Sequence, residues 1–122
     1  MIKQTDLPVL VVDDDPAVLN ALAFSLRSEG YAVTACASSA QGLEQALLAP
    51  FCCLVVDYRL PGMDGIALAD AIRGGGVHRP VVLITSNPDA RCRSRAAAAH
   101  AVIVEKPLLG DTLSRQIASL VQ

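Results

Sequence analysis

Val9-Leu10-Val11-Val12-Asp13-Asp14-Asp15-Pro16 is the stretch whose reading decides the fold. Four consecutive apolar residues form a short strand buried on both faces. The acids that follow stand at its carboxyl end. Asp15-Pro16 then starts a helix, with Asp as the N-cap and Pro at the first helical position. Capping accounts for Asp15 and leaves Asp13 and Asp14 for other chemistry. The helix shows one apolar face, Val18, Leu19, Leu22, Ala23 and Leu26, and Gly30 stops it.

The same alternation runs along the chain. Tyr31 to Cys36 is a second strand, at an edge because Ala and Thr dilute its apolar character. Ser38 or Ser39 caps a helix through Leu43, Ala46 and Leu47 that Pro50 ends. Cys52 to Asp57 is the central strand, followed by the loop Tyr58 to Asp64. Leu68, Ala69 and Ile72 mark a third helix, terminated by Gly74-Gly75-Gly76. Val81 to Thr85 is strand four, and Ser86-Asn87-Pro88 opens a helix rich in Arg and Ala. Ala101 to Val104 is strand five, and Leu113, Ile117, Leu120 and Val121 mark a closing amphipathic helix. This is an α/β chain of (βα)5 form, which implies a parallel sheet with helices on both faces. It shows no internal repeat, linker or low-complexity tract, so residues 1–122 read as a single domain.

Composition narrows the function. The 122 residues are 52% apolar, yet no uninterrupted apolar run approaches the ~18 residues of a membrane span. The opening Met1-Ile2-Lys3-Gln4-Thr5-Asp6 lacks the layout of a signal peptide, and a cytoplasmic location is expected. A net charge of -2 gives no pull toward nucleic acid or anionic lipid. The aromatics, Phe24, Tyr31, Phe51 and Tyr58, are too few for a single-strand stacking platform. Nothing resembles a helix-turn-helix, so no direct nucleic-acid binding is expected. Cys36, Cys52, Cys53 and Cys92 lack metal-ligand spacing and read as reduced, buried thiols. Adjacent Cys52 and Cys53 are expected on opposite faces of the sheet.

In an open parallel sheet the strand carboxyl ends share one edge, where ligands bind. Asp13, Asp14, Asp57, Thr85 and Lys106 all follow strands and converge there. Three carboxylates that close repel one another unless a cation offsets them. Mg2+ (or Mn2+) takes oxygen ligands and keeps several waters, which suits an acidic pair plus a neighbouring carboxylate. An aspartate held against a metal and a lysine is a nucleophile suited to phosphorus. Thr85 supplies a hydroxyl to the same group.

With these residues in hand, the chain resembles the receiver domain of bacterial two-component response regulators, over its whole length. The resemblance rests on Asp13-Asp14, Val55-Val56-Asp57, Leu60-Pro61-Gly62-Met63-Asp64-Gly65, Thr85-Ser86 and Lys106-Pro107. The spacings are 43 residues from Asp14 to Asp57, 28 on to Thr85 and 21 on to Lys106. It implies a flavodoxin-like, doubly wound sheet of order 2-1-3-4-5. It implies that Asp57 accepts a phosphoryl group from a sensor histidine kinase, a histidine phosphotransfer protein or a small phosphodonor. Asp14 would bind Mg2+ directly and Asp13 through water, with Asp57 and the Arg59 backbone carbonyl completing the protein ligands. Lys106 would hold a phosphoryl oxygen, with a cis peptide before Pro107, and Thr85 would move toward the new group. The face of helix four, strand five and helix five would then change, controlling a partner or homodimerisation.

Three positions depart from the pattern. Ile103 stands where receivers commonly carry Tyr or Phe as a rotamer switch. His100 lies near a position often held by Gly. Arg59, two residues past the acceptor, occupies a place where the family tunes dephosphorylation. Arg91, Arg93 and Arg95 form either a solvated helix face or a partner patch, and His78 and His100 read as surface or loop residues. Two other functions compete. A haloacid-dehalogenase-type phosphatase would want Asp-x-Asp-x-Thr at strand one, but Pro16-Ala17 follow the acids and Asp57 would be idle. A pseudo-receiver acting without phosphorylation fits Ile103 but not the retention of every pocket residue.

Overall fold

The computed structural model describes residues 6–108 and 111–121. The stretch read for a leader, Met1 to Thr5, lies outside them. Strands and helices alternate: β1 (Val9–Val12), α1 (Pro16–Ser28), β2 (Val33–Cys36), α2 (Ser39–Leu48), β3 (Cys53–Asp57), α3 (Gly65–Gly74), β4 (Val81–Thr85), α4 (Ala90–Ala98), β5 (Ala101–Glu105) and α5 (Thr112–Val121). The five strands are all parallel, in the order β2-β1-β3-β4-β5.

Strand alternation sorts the core into two clusters. Leu10, Val12, Leu54, Val56 and Leu83 pack on the side that also holds Leu68 and Ile72 of α3 and Cys92 and Ala96 of α4. Val9, Val11, Val55, Val82 and Ile84 pack against Leu22 and Leu26 of α1 and Ile117 of α5. Side chains on both sheet faces are therefore buried, which is why the strands read as continuous apolar runs.

Polar caps fix the helix starts. Asp15 accepts the Ala17 and Val18 N–H groups at 2.9 and 3.4 Å, as its capping role requires. Ser38, rather than Ser39, caps α2 by accepting from Gln41 N–H at 3.1 Å. Asp64 caps α3 through Ala67 N–H at 2.8 Å. The helix after β4 starts later than Ser86-Asn87-Pro88 suggests. Asn87 takes a left-handed φ of 47°, so these residues belong to the loop, and Asp89 caps α4 through Cys92 N–H at 2.8 Å.

The sequence boundaries shift in three more places. β2 begins at Val33 and β3 at Cys53, and β5 runs on to Glu105. The expectation that Cys52 and Cys53 face opposite sides is corrected: both lie in the α1–α5 cluster. Cys52 sits just before the strand, where pleat alternation does not apply.

Gly65 carries a steric constraint next to the sheet edge. A Cβ there would lie 2.5 Å from the Asp57 carbonyl oxygen and 2.9 Å from Leu83 Cδ1. The backbone oxygen cannot step aside without moving β3. Gly65→Ala is therefore expected to destabilise the fold by roughly 1–3 kcal/mol, the usual cost of overpacking, measured by urea unfolding.

Candidate functional site

The carboxyl edge of the sheet gathers the residues that sequence singled out. Asp13 leaves β1 with its N–H donating to the Cys36 carbonyl at 3.1 Å, and it is only 1% exposed. Its Oδ1 accepts the Asp15 N–H at 2.9 Å. Asp14 is exposed beside it, and Asp57 ends β3 next door. One carboxylate oxygen from each of Asp13, Asp14 and Asp57 lies within 4.8 Å of the others.

Two contacts hold Asp57. Its Oδ1 accepts the Arg59 N–H at 3.1 Å, and its Oδ2 meets Lys106 Nζ at 3.2 Å. The Asp57 side chain is 12% exposed and that of Lys106 is 31% exposed, so the pair is largely shielded yet reachable from solvent. Lys106 is placed by its own N–H, which donates to the Thr85 carbonyl at 2.9 Å at the end of β4. Thr85 is buried, and its hydroxyl donates to the Ser86 carbonyl at 3.4 Å, a long contact easily exchanged for a better acceptor. The Lys106–Pro107 peptide is cis, in line with the resemblance. Arg59 is exposed, and together with Asp14, Tyr58 and Asp64 it lines an open depression beside the carboxylates.

The electrostatics are unbalanced. Burial raises the Asp13 pKa, the Asp57 and Asp14 charges raise it further, and the Asp15 N–H and Lys106 only partly compensate. Three oxygen-bearing acids in mutual contact range, one of them buried, match the hard-ligand set that Mg2+ prefers, with room for waters on the exposed Asp14 side. The residues present fit such an ion.

Sequence reasoning missed a second cluster. Arg95 Nη1 donates to Asp64 Oδ2 at 2.8 Å and to Tyr58 Oη at 3.1 Å, and Nη2 reaches Asp64 Oδ1 at 3.3 Å. The guanidinium carbon also lies 5.8 Å from the Tyr58 ring centroid. Burial pushes Asp64 upward, but the Arg95 and Ala67 hydrogen bonds win and hold it below the usual carboxylate range. The three arginines of α4 therefore differ: Arg91 is exposed, Arg93 makes an exposed pair with Glu105 at 3.0 Å, and Arg95 is anchored. A signal was present, because Cys92, Ala96 and Ala99 are the buried stripe of this helix and Arg95 adjoins it. Ile103 is half-buried against the α3–α4 side of the core. His100 takes the left-handed conformation, φ 54°, that explains why Gly suits this turn.

These features define a doubly wound α/β domain with an acid cluster and a lysine at its carboxyl edge. The chain belongs to the response regulator receiver domain family, whose model matches residues 9–118. It is 38% identical over 102 residues to the transcriptional regulatory protein FixJ of Azorhizobium caulinodans, covering 83% of this chain and 48% of that one. It is 31% identical over 115 residues to the transcriptional regulatory protein KdpE of Mycobacterium tuberculosis, covering 93% and 50%. The chain thus spans about half the length of these curated relatives. Among solved structures, FixJ-N matches with a TM-score of 0.83 and 30% identity over 95% of this chain and 93% of that chain. The Vibrio cholerae chemotaxis protein CheY4 matches at 0.86 over 93% and 98%, and at 24% identity shows the fold alone.

An acid with a raised folded pKa costs stability as pH rises from its ordinary value through the folded one. Asp13→Asn keeps an acceptor for the Asp15 N–H and removes the charge, so in EDTA at neutral pH its Tm is expected to exceed wild type by a few degrees. The gap is expected to close as pH falls and Asp13 takes up its proton. All four cysteines are buried and burial raises each thiol, Cys53 to about 12. Native protein is expected to react with a thiol-disulfide reagent at least tenfold more slowly than protein unfolded in guanidinium.

Proposed function

We propose that Asp57 is the phosphoacceptor of a signalling switch. The observation that carries this reading is the Asp57 carboxylate, fixed by the Arg59 N–H on one oxygen and Lys106 Nζ on the other, beside Asp13 and Asp14. An Asp57 oxygen attacks phosphorus, forming an O–P bond as the bond to the leaving group breaks. With a phosphohistidine of a sensor histidine kinase or phosphotransfer protein, the leaving group is imidazole, and with acetyl phosphate it is acetate. The attacking oxygen is already within reach of its positioning partners, so little ordering is left for the reaction itself.

Asp13, Asp14, Asp57 and the Arg59 carbonyl would hold Mg2+, which supplies positive charge to the phosphoryl oxygens. Lys106 would neutralise a further oxygen, adding to the positive charge that a bound ion would supply and that phosphoryl transfer needs. Thr85 exchanges its long bond to the Ser86 carbonyl for the new phosphoryl oxygen, drawing the 86–89 loop and α4 with it. The face of α4, β5 and α5 then differs between the two states and controls a partner or a homodimer. In this reading the domain is a signalling module and no separate substrate is turned over.

The test is acetyl phosphate labelling followed by intact mass. Wild type is expected to gain one phosphoryl unit only with Mg2+ present, and Asp57→Asn to gain none. Labelling that survives Asp57→Asn, or its absence together with failure to bind BeF3-, would sink the mechanism.

A further inference from the structure

The loop Tyr58 to Asp64 joins the acceptor to α3 and is closed at its base by backbone. Tyr58 N–H donates to the Ile84 carbonyl at 2.9 Å, and Gly65 N–H donates to the Tyr58 carbonyl at 3.0 Å. Arg95 grips the same loop from another element, bonding its first side chain, Tyr58, and its last, Asp64. Arg59, whose N–H holds Asp57 Oδ1, is the residue after Tyr58.

What else holds α4 is less directional. Cys92, Ala96 and Ala99 make apolar contacts that tolerate small sliding, and the Arg93–Glu105 pair has both side chains more than half exposed. Ile103 offers this face only apolar surface. Among the described residues, the side-chain hydrogen bonds from α4 to the acceptor loop come from Arg95. A planar guanidinium bound to both carboxylate oxygens fixes distance and orientation together, which apolar packing does not. The side chains of Arg95 and Asp64 are 30% and 33% exposed, shielded enough to matter and open enough to rearrange.

We propose that Arg95 is a positioning residue that couples the acceptor loop to α4, so that loading at Asp57 is transmitted to the helix through the Tyr58–Arg95–Asp64 contact. This rests on the reading of Asp57 as a metal-assisted phosphoacceptor. Coupling is reciprocal: if Arg95 carries the loop's state to α4, it also supports the loop geometry that presents the Arg59 carbonyl. A contact of this partial exposure belongs at the lower end of such couplings, about five-fold.

The experiment compares wild type, Arg95→Ala, Asp64→Asn and the double variant. Asp64→Asn keeps a good N-cap for α3 while removing the charge facing Arg95, so the pair is tested without losing the helix start. Mg2+ affinity is measured by calorimetry, and amide exchange across 90–98 is followed with and without Mg2+ and BeF3-. Wild type is expected to change α4 exchange on loading. Each single variant should weaken Mg2+ binding about five-fold and lose the α4 response, with the double variant no worse than either single. Unchanged Mg2+ affinity in Arg95→Ala, or an undiminished α4 response, overturns the coupling and leaves a merely stabilising ion pair. Wild type that takes up neither Mg2+ nor BeF3- overturns the reading of Asp57 itself, and the coupling with it.

Discussion

Like-charge repulsion at the carboxyl edge of the sheet is the constraint on which the rest of the molecule depends. Carboxylate oxygens of Asp13, Asp14 and Asp57 lie within 4.8 Å of one another, and the repulsion weighs most on the buried Asp13, where water screens least. One lysine at 3.2 Å offsets part of that. The fold tolerates the remainder because two strands buried on both faces hold the acids rigidly, and because backbone N–H groups of Asp15 and Arg59 each satisfy one oxygen. The strain is stored charge, and a divalent cation or a proton relieves it.

The sheet supplies the geometry. β1 and β3 are neighbours in register, with Val12 opposite Val56, so the residues that follow them are adjacent without any loop having to fold over. β4 and β5 run on in order, which puts Thr85 and the start of the Lys106 turn across from Asp57. Close packing behind the edge, with Gly65 admitting no side chain, keeps α3 tight against the Asp57 carbonyl. The β1–β3 side of the site is walled by strands buried on both faces, and α4 meets the acceptor loop through Arg95.

Much of this was legible in sequence. Four apolar strands, each leading into a polar residue, were legible because parallel strands show apolar runs and helices show 3.6-residue spacing, although β5 proves only half-buried. The strand order came from resemblance, not from periodicity, which is blind to neighbours. Boundaries failed where local chemistry had two solutions: Ser86-Asn87-Pro88 and Asp89 both look like helix starts, and only the left-handed Asn87 decides between them. The Cys52–Cys53 alternation failed because the strand begins one residue late. Arg95 was hidden among three similar arginines: its place beside the buried Cys92 and Ala96 hints that it is shielded, but its partners lie 31 and 37 positions away, so the helix pattern does not name them.

The central claim, that the carboxylate cluster is built to receive a divalent cation, is tested most directly by thermal unfolding across a Mg2+ titration at constant ionic strength. A ligand bound only by the folded state stabilises it by about 2.7 kcal/mol at a hundred times its Kd. The account predicts a Tm that climbs with the logarithm of Mg2+ concentration. A Tm indifferent to Mg2+, or raised equally by matched NaCl, would contradict it.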